Sequence, residues 1–93
     1  MTVMTLRLDL RVVHCQTPRD KRREMRAIVD KLHRHFNVSV AEADAEDDPV
    51  AAVLVVAAVG RTRRDARETI ARVADAVAAH PRAEVLAHAV SEV

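Results

Sequence analysis

At 93 residues, 49% hydrophobic and 31% charged, the chain has the size and composition of one folded domain spanning 1–93, which excludes disorder and a catalytic cleft between domains. It has no Trp or Tyr and one Phe, so its core must be built from Val, Ala, Leu, Ile and Met. The net charge is only +1, but seven Lys or Arg face three acids between Arg19 and Phe36, whereas Glu42, Asp44, Glu46, Asp47 and Asp48 form an acidic run. Cys15 is the single cysteine, which excludes an internal disulfide. The N-terminus alternates polar and apolar residues instead of carrying a signal-peptide core. The longest apolar run, Val50 to Val59, is ten residues, against the roughly 20 a membrane helix needs. The expectation is a cytoplasmic protein with no membrane association.

From Met4 to Val12 every even position is apolar and Thr5, Arg7, Asp9 and Arg11 are polar, which predicts a half-buried strand. Thr17-Pro18-Arg19-Asp20 then carries a helix start: a capping hydroxyl, a proline suited to the first turn, and an acid at the favourable end of the dipole. Met25, Ile28, Val29, Leu32 and Phe36 follow at spacings of three and four, one apolar stripe for packing on a sheet. Val38 and Val40 alternate with polar or small residues in a short second strand, and Pro49 closes the acidic stretch. Val50 to Val59 predicts a strand covered on both faces and central in its sheet, bounded by Pro49 and Gly60. Thr62-Arg63-Arg64-Asp65 repeats the helix start, and Ala66, Ile70, Val73 and Val77 mark a second amphipathic helix ending near His80-Pro81. Glu84 to Glu92 supplies a last strand.

The order strand, helix, strand, strand, helix, strand predicts an α+β, ferredoxin-like βαββαβ sandwich with two helices on one face of a four-stranded antiparallel sheet. Right-handed crossovers put the first and third strands in the middle. The two helices then start at opposite ends of the sheet, so their basic N-terminal segments make no shared phosphate pocket.

At about 100° per residue, Arg19, Arg23, Arg26 and Arg34 fall opposite Leu32 and Phe36 on one exposed stripe. Arginine suits phosphate through its planar fork, and a row of them releases counterions on nucleic-acid binding. The competing reading is a solvated face, because Asp30 lies four residues from both Arg26 and Arg34. Lys21 falls near the apolar edge, where its stem would follow the core boundary. On the second helix, Glu68 is spaced to pair with Arg64 and Arg72, a more neutralised patch. RNA-binding modules of this topology stack bases on central-strand aromatics, which this chain lacks, so any RNA contact is expected at backbone and shape. The outward Val and Ala of the third strand predict an apolar strip on the open sheet face, which favours a homo-oligomer through that face or an edge strand.

Metal, cofactor and catalytic chemistry find no support. His33 and His35 are two apart on a helix and diverge, while His14, His80 and His88 are scattered. Cys15 precedes the first helix with only His14 beside it, on the opposite face of a strand, so a small semi-buried thiol is expected. The acidic run lacks the glycine and terminal glutamate of a calcium loop and reads as a solvated turn. No cofactor and no enzymatic activity are expected.

Thr17 to Arg22, followed by Phe36-Asn37-Val38-Ser39-Val40-Ala41-Glu42, resembles the YlxP-like family of short bacterial proteins of unknown function, over the whole chain. That family starts its first helix Ser-Leu-Lys-x-Lys-Arg. Lys21 and Arg22 match, Thr17-Pro18-Arg19 departs, and Asp47-Asp48-Pro49-Val50 stands where an aromatic is common. The resemblance implies a ferredoxin-like fold, a frequent gene position beside translation-initiation and ribosome-maturation factors, and no established reaction or ligand. It adds Ser39 and Glu42 to the candidate positions, as a site or as strand-terminating residues. The nucleic-acid-binding candidates are therefore Arg19, Lys21, Arg22, Arg23, Arg26 and Arg34, with ribosomal RNA or a ribosomal subunit as the expected partner.

Overall fold

A computed structural model describes residues 1–43 and 48–93. Its elements are β1 (Thr2–Val12), α1 (Pro18–His35), β2 (Val38–Ala43), β3 (Ala51–Gly60), α2 (Arg63–Ala78) and β4 (Ala83–Glu92). The strands form one antiparallel sheet in the order β2-β3-β1-β4. This is the α+β, ferredoxin-like arrangement that the hydrophobic periodicity predicts. β1 begins earlier than its alternation does, because Thr2 and Val3 still pair with Gly60 and Val59.

The core lies between the sheet and the helices. Met4, Leu6, Leu8, Leu10 and Val12 of β1 and Ala52, Leu54, Val56 and Ala58 of β3 meet Met25, Ile28 and Leu32 of α1 and Ala66, Ile70, Val73 and Val77 of α2. With no aromatic side chain buried, the close packing rests on small branched residues from neighbouring strands and helices.

β3 is central, as its apolar run implies, but the expectation of cover on both faces is wrong. Both helices lie on the Leu54 side, and on the opposite side Val59 is 60% exposed. Val53, flanked by Asp9 of β1 and Ala43 of β2, is nevertheless 7% exposed, and Val55 and Ala57 are half-buried. In a central strand the neighbouring strands' side chains shield part of the open face, so a continuous apolar run needs no second helical layer.

The two helix starts follow the capping logic. The Thr17 hydroxyl accepts the Asp20 amide at 3.1 Å, and the Asp20 carboxylate accepts the amides of Thr17 at 3.2 Å and Gln16 at 3.1 Å. The Thr62 hydroxyl accepts the Asp65 amide at 3.1 Å. Replacing Thr17→Ala is expected to cost about 1 kcal/mol, read as a lower urea midpoint with an unchanged slope; an unchanged midpoint would remove this cap from the stability of α1.

Candidate nucleic-acid interface

Burying Met25, Ile28 and Leu32 of α1 against the sheet fixes what the rest of the helix shows to solvent. Arg19, Arg22, Arg23, Arg26 and Arg34 are all exposed. None of the five is in an ion pair among the described residues, and Asp30 makes neither pair that its spacing allows. Arg19 with Arg23 and Arg22 with Arg26 are like charges one turn apart, and three of these cations sit in the first two turns, the unfavourable end for positive charge. The face therefore carries uncompensated charge. α2 is different: Arg63 pairs with Glu92 at 2.7 Å and Arg64 with Glu68 at 3.2 Å, whereas the expected Glu68–Arg72 pair does not form.

Lys21 does not join the arginine surface. It is 8% exposed, and its ammonium donates to the Asp48 carbonyl at 2.6 Å, tying the start of α1 to the turn before β3. The physical reason is its position on the apolar edge of the helix, where a flexible stem lies along the core and the head must find an acceptor. The Asp48 carboxylate in turn accepts the amides of Val50 at 2.9 Å and Ala51 at 3.0 Å. Asp44, Glu46 and Asp47 of the acidic run lie outside the described residues.

Ser39 and Glu42 are both exposed and do not share a face. Ser39 pairs with Ala57 on the open side, whereas Glu42 pairs with Leu54, in the alternate set that faces the helices. α1 runs back from the end of β1, so the end of β2 at Glu42 lies at the same end of the sheet as Lys21 and Arg22, and Ser39 is separate from them.

The other end of the α1 start holds a contact invisible in the sequence. Glu24 accepts from His80 Nε2 at 2.9 Å and lies 3.7 Å from Arg82, with Glu24 and His80 both largely buried. It links α1 to the turn between α2 and β4. Cys15 lies beside this group, and burial, then the charges of Glu24 and Asp20, push its thiol above the ordinary value. A thiol held protonated is a poor nucleophile. His14 is not in a strand, contrary to expectation: it turns the chain in the left-handed region at φ 62°. Among the described residues no group of three His, Cys, Asp or Glu side chains is placed to hold a metal, and no helix is long and apolar enough to cross a membrane.

Hydrogen bonds from Gln16, Thr17 and the amides of Val50 and Ala51 hold the Asp20 and Asp48 carboxyls below the ordinary carboxylate value. A carboxyl depressed in the folded state contributes stability above its unfolded value of about 4 and loses it as pH falls through the folded value. The melting temperature is therefore expected to fall with acidification below about pH 4, with a shallower fall in an Asp20→Ala, Asp48→Ala variant. Identical acid profiles would show that these bonds carry no pH-dependent stability.

No curated protein matches the chain. A family model described as "Protein of unknown function (DUF503)" matches residues 3–90, from the second residue of β1 to Val90, two residues before the end of β4. The match takes in both helices, the arginine face, Lys21 and the ends of β2, so the chain belongs to the DUF503 family.

Proposed function

We propose that this protein is a non-enzymatic, cytoplasmic binding protein that docks on ribosomal RNA or a ribosome-assembly intermediate through the exposed face of α1. The observation that carries the reading is the set Arg19, Arg22, Arg23, Arg26 and Arg34, exposed and all unpaired among the described residues, while on α2 Arg63 and Arg64 are held by Glu92 and Glu68. Uncompensated like charges on one helix cost stability, which a docking surface for polyphosphate repays on binding. A-form RNA offers a regular phosphate lattice, and a helix face of planar guanidinium forks suits it without reading bases. The resemblance of Thr17–Glu42 to YlxP-like proteins, whose genes lie beside translation factors, supports the ribosome as the source of that RNA.

The alternative is a homo-oligomeric interaction module using the open sheet face. Its support is narrower, since Val59 is the only β3 residue widely exposed there and the Arg7–Asp9 ion pair at 3.2 Å occupies the adjoining row.

Purification of the protein from its native cytosol, with and without RNase, separates the two. Docking on RNA predicts copurifying ribosomal RNA that disappears on RNase treatment. Ribosomal components that stay bound after RNase treatment, or no associated RNA in untreated lysate, would contradict it.

A further inference from the structure

β4 is an edge strand of ten residues, Ala83–Glu92, and contains no Lys, Arg, Pro or Gly. Lysine and proline are among the devices that usually stop a free edge from pairing, as are a bulge and other charges, and in β4 the bulge lies at Leu86 and the charges at Glu84 and Glu92. The other edge, β2, has six residues. Leu86 and Val90 of β4 are 61% and 48% exposed, and beside them the helix side of the strand opens into a groove of about 680 Å³ floored by Leu6, Leu8, Ile70, Ala74, Val85 and Val90.

The hydrogen bonds fix which backbone groups are free. The Val93 amide donates to the Val3 carbonyl at 2.9 Å, so with alternation along the strand Ser91 and Ala89 also address β1. The amides and carbonyls of His88, Val90 and Glu92 point away from the sheet. The register shift at Asp9/Leu10 confines the irregularity of β4 to Leu86, outside this segment.

We infer that β4 pairs antiparallel with β4 of a second copy, about a two-fold axis at Val90, to make a continuous eight-stranded sheet. In this register Val90 faces Val90 of the second copy, and His88 faces Glu92 twice. All six outward backbone groups of the segment then find partners. The side chains agree with the backbone. His88 and Glu92 lie on the same face, because they oppose Leu8 and Met4 of β1. Imidazole carries an N–H in either protonation state and the carboxylate accepts it, so the facing pair is complementary. Glu92 already holds Arg63 at 2.7 Å, and the second copy's His88 adds to that network. Centring the pair on His88 would instead set Glu84 against Glu92 and meet the bulge. Centring it on Ala89 would place His88 against Val90 and leave Glu92 without a partner. The Val90 register is the one that joins charge complementarity to a full backbone ladder, and it brings the two grooves side by side on the helix face.

The pairing is independent of RNA and is tested without it. Wild-type protein stripped of nucleic acid is expected to sediment as a concentration-dependent dimer. His88→Glu sets acid against Glu92 and should weaken that dimer about tenfold or more. Val90→Pro removes an outward amide while leaving every β1 bond in place, so it should give a folded monomer. Because a proline variant can misfold, a second arm places Val90→Cys in a Cys15→Ser background. Facing Cα atoms of a hydrogen-bonded pair lie about 5.5 Å apart, within disulfide reach, so mild oxidation should cross-link most of the protein, and the same change at Ala87 should not. A monomer at every concentration, or a dimer that survives Val90→Pro and forms no cross-link through the introduced thiols, overturns the inference.

Discussion

A variant carrying Arg19→Glu, Arg23→Glu, Arg26→Glu and Arg34→Glu is expected to fold normally and to lose association with ribosomal RNA. All four side chains are exposed and make no ion pair among the described residues, so their reversal breaks no hydrogen bond or ion pair and removes only the longer-range attraction of Arg23 for Asp20. Removing Arg19 and Arg23 from the positive end of the helix also relieves an unfavourable dipole interaction. Each lost arginine–phosphate contact is worth about 1 kcal/mol or more, so four together lower affinity roughly a thousandfold. The control is reversal at Arg61, Arg64, Arg67 and Arg72, on and beside the partly neutralised α2, which should change affinity far less. Measurement is by filter binding or by cosedimentation with ribosomal subunits. Equal losses in the two variants would mean general charge attraction, and no loss in the α1 variant would contradict docking through this face.

Gly60→Ala is expected to destabilise the fold at the upper end of about 1–3 kcal/mol. Gly60 is the chain's single glycine and ends β3. A Cβ built there would stand 2.5 Å from the Ala66 amide nitrogen, 2.9 Å from the Thr62 carbonyl oxygen and 3.0 Å from the Ala66 Cα. Each of these is backbone, and the first two belong to the hydrogen bond of 3.2 Å that opens α2. No rotamer change relieves the clash; the first turn of α2 must move off the sheet, disturbing Ala66 and Ile70 in the core. The usual gain from a less flexible unfolded chain, about 0.4–1 kcal/mol, offsets only part of this. A urea titration reads the effect as a lowered midpoint, and an unchanged midpoint would show that the approach of α2 to β3 is looser than these distances.

Gly60 also illustrates what the sequence does and does not reveal. As a punctuation mark it ends an apolar run, which is legible. Its role as the point where α2 passes against the sheet depends on a residue six positions on, and no local pattern encodes that. The same division runs through the molecule. Thr17 with Asp20 and Thr62 with Asp65 are short-range capping signals, and both helices start where those pairs place them. The alternation of β1 and the stripes of α1 and α2 identify the core and the four-stranded order, because burial on one face leaves a period in the sequence. The arginine face follows from the same helical period.

Long-range polar contacts leave no such trace. Lys21 reaches a carbonyl 27 residues away, and His80 reaches Glu24 across 56 residues. The helical angle of Lys21 already sets it at the apolar edge, but the carbonyl that its ammonium reaches is not legible there. The outward ladder of β4 was hidden for another reason. The bulge at Leu86 shifts the inward set from odd to even positions, so Val85, His88 and Val90 show no simple alternation. A residue count alone could not place His88 and Glu92 on one face with Val90 between them.

The most direct test of docking through α1 is the salt dependence of binding to isolated ribosomal subunits, compared between the wild-type protein and the four-arginine reversal. Each phosphate neutralised contributes about 0.7–0.9 to the logarithmic slope, so the five arginines predict a wild-type slope of about −4 that falls to about −1 in the variant, which keeps Arg22. Equal slopes for the two proteins, or no measurable binding by the wild type at low salt, would contradict it.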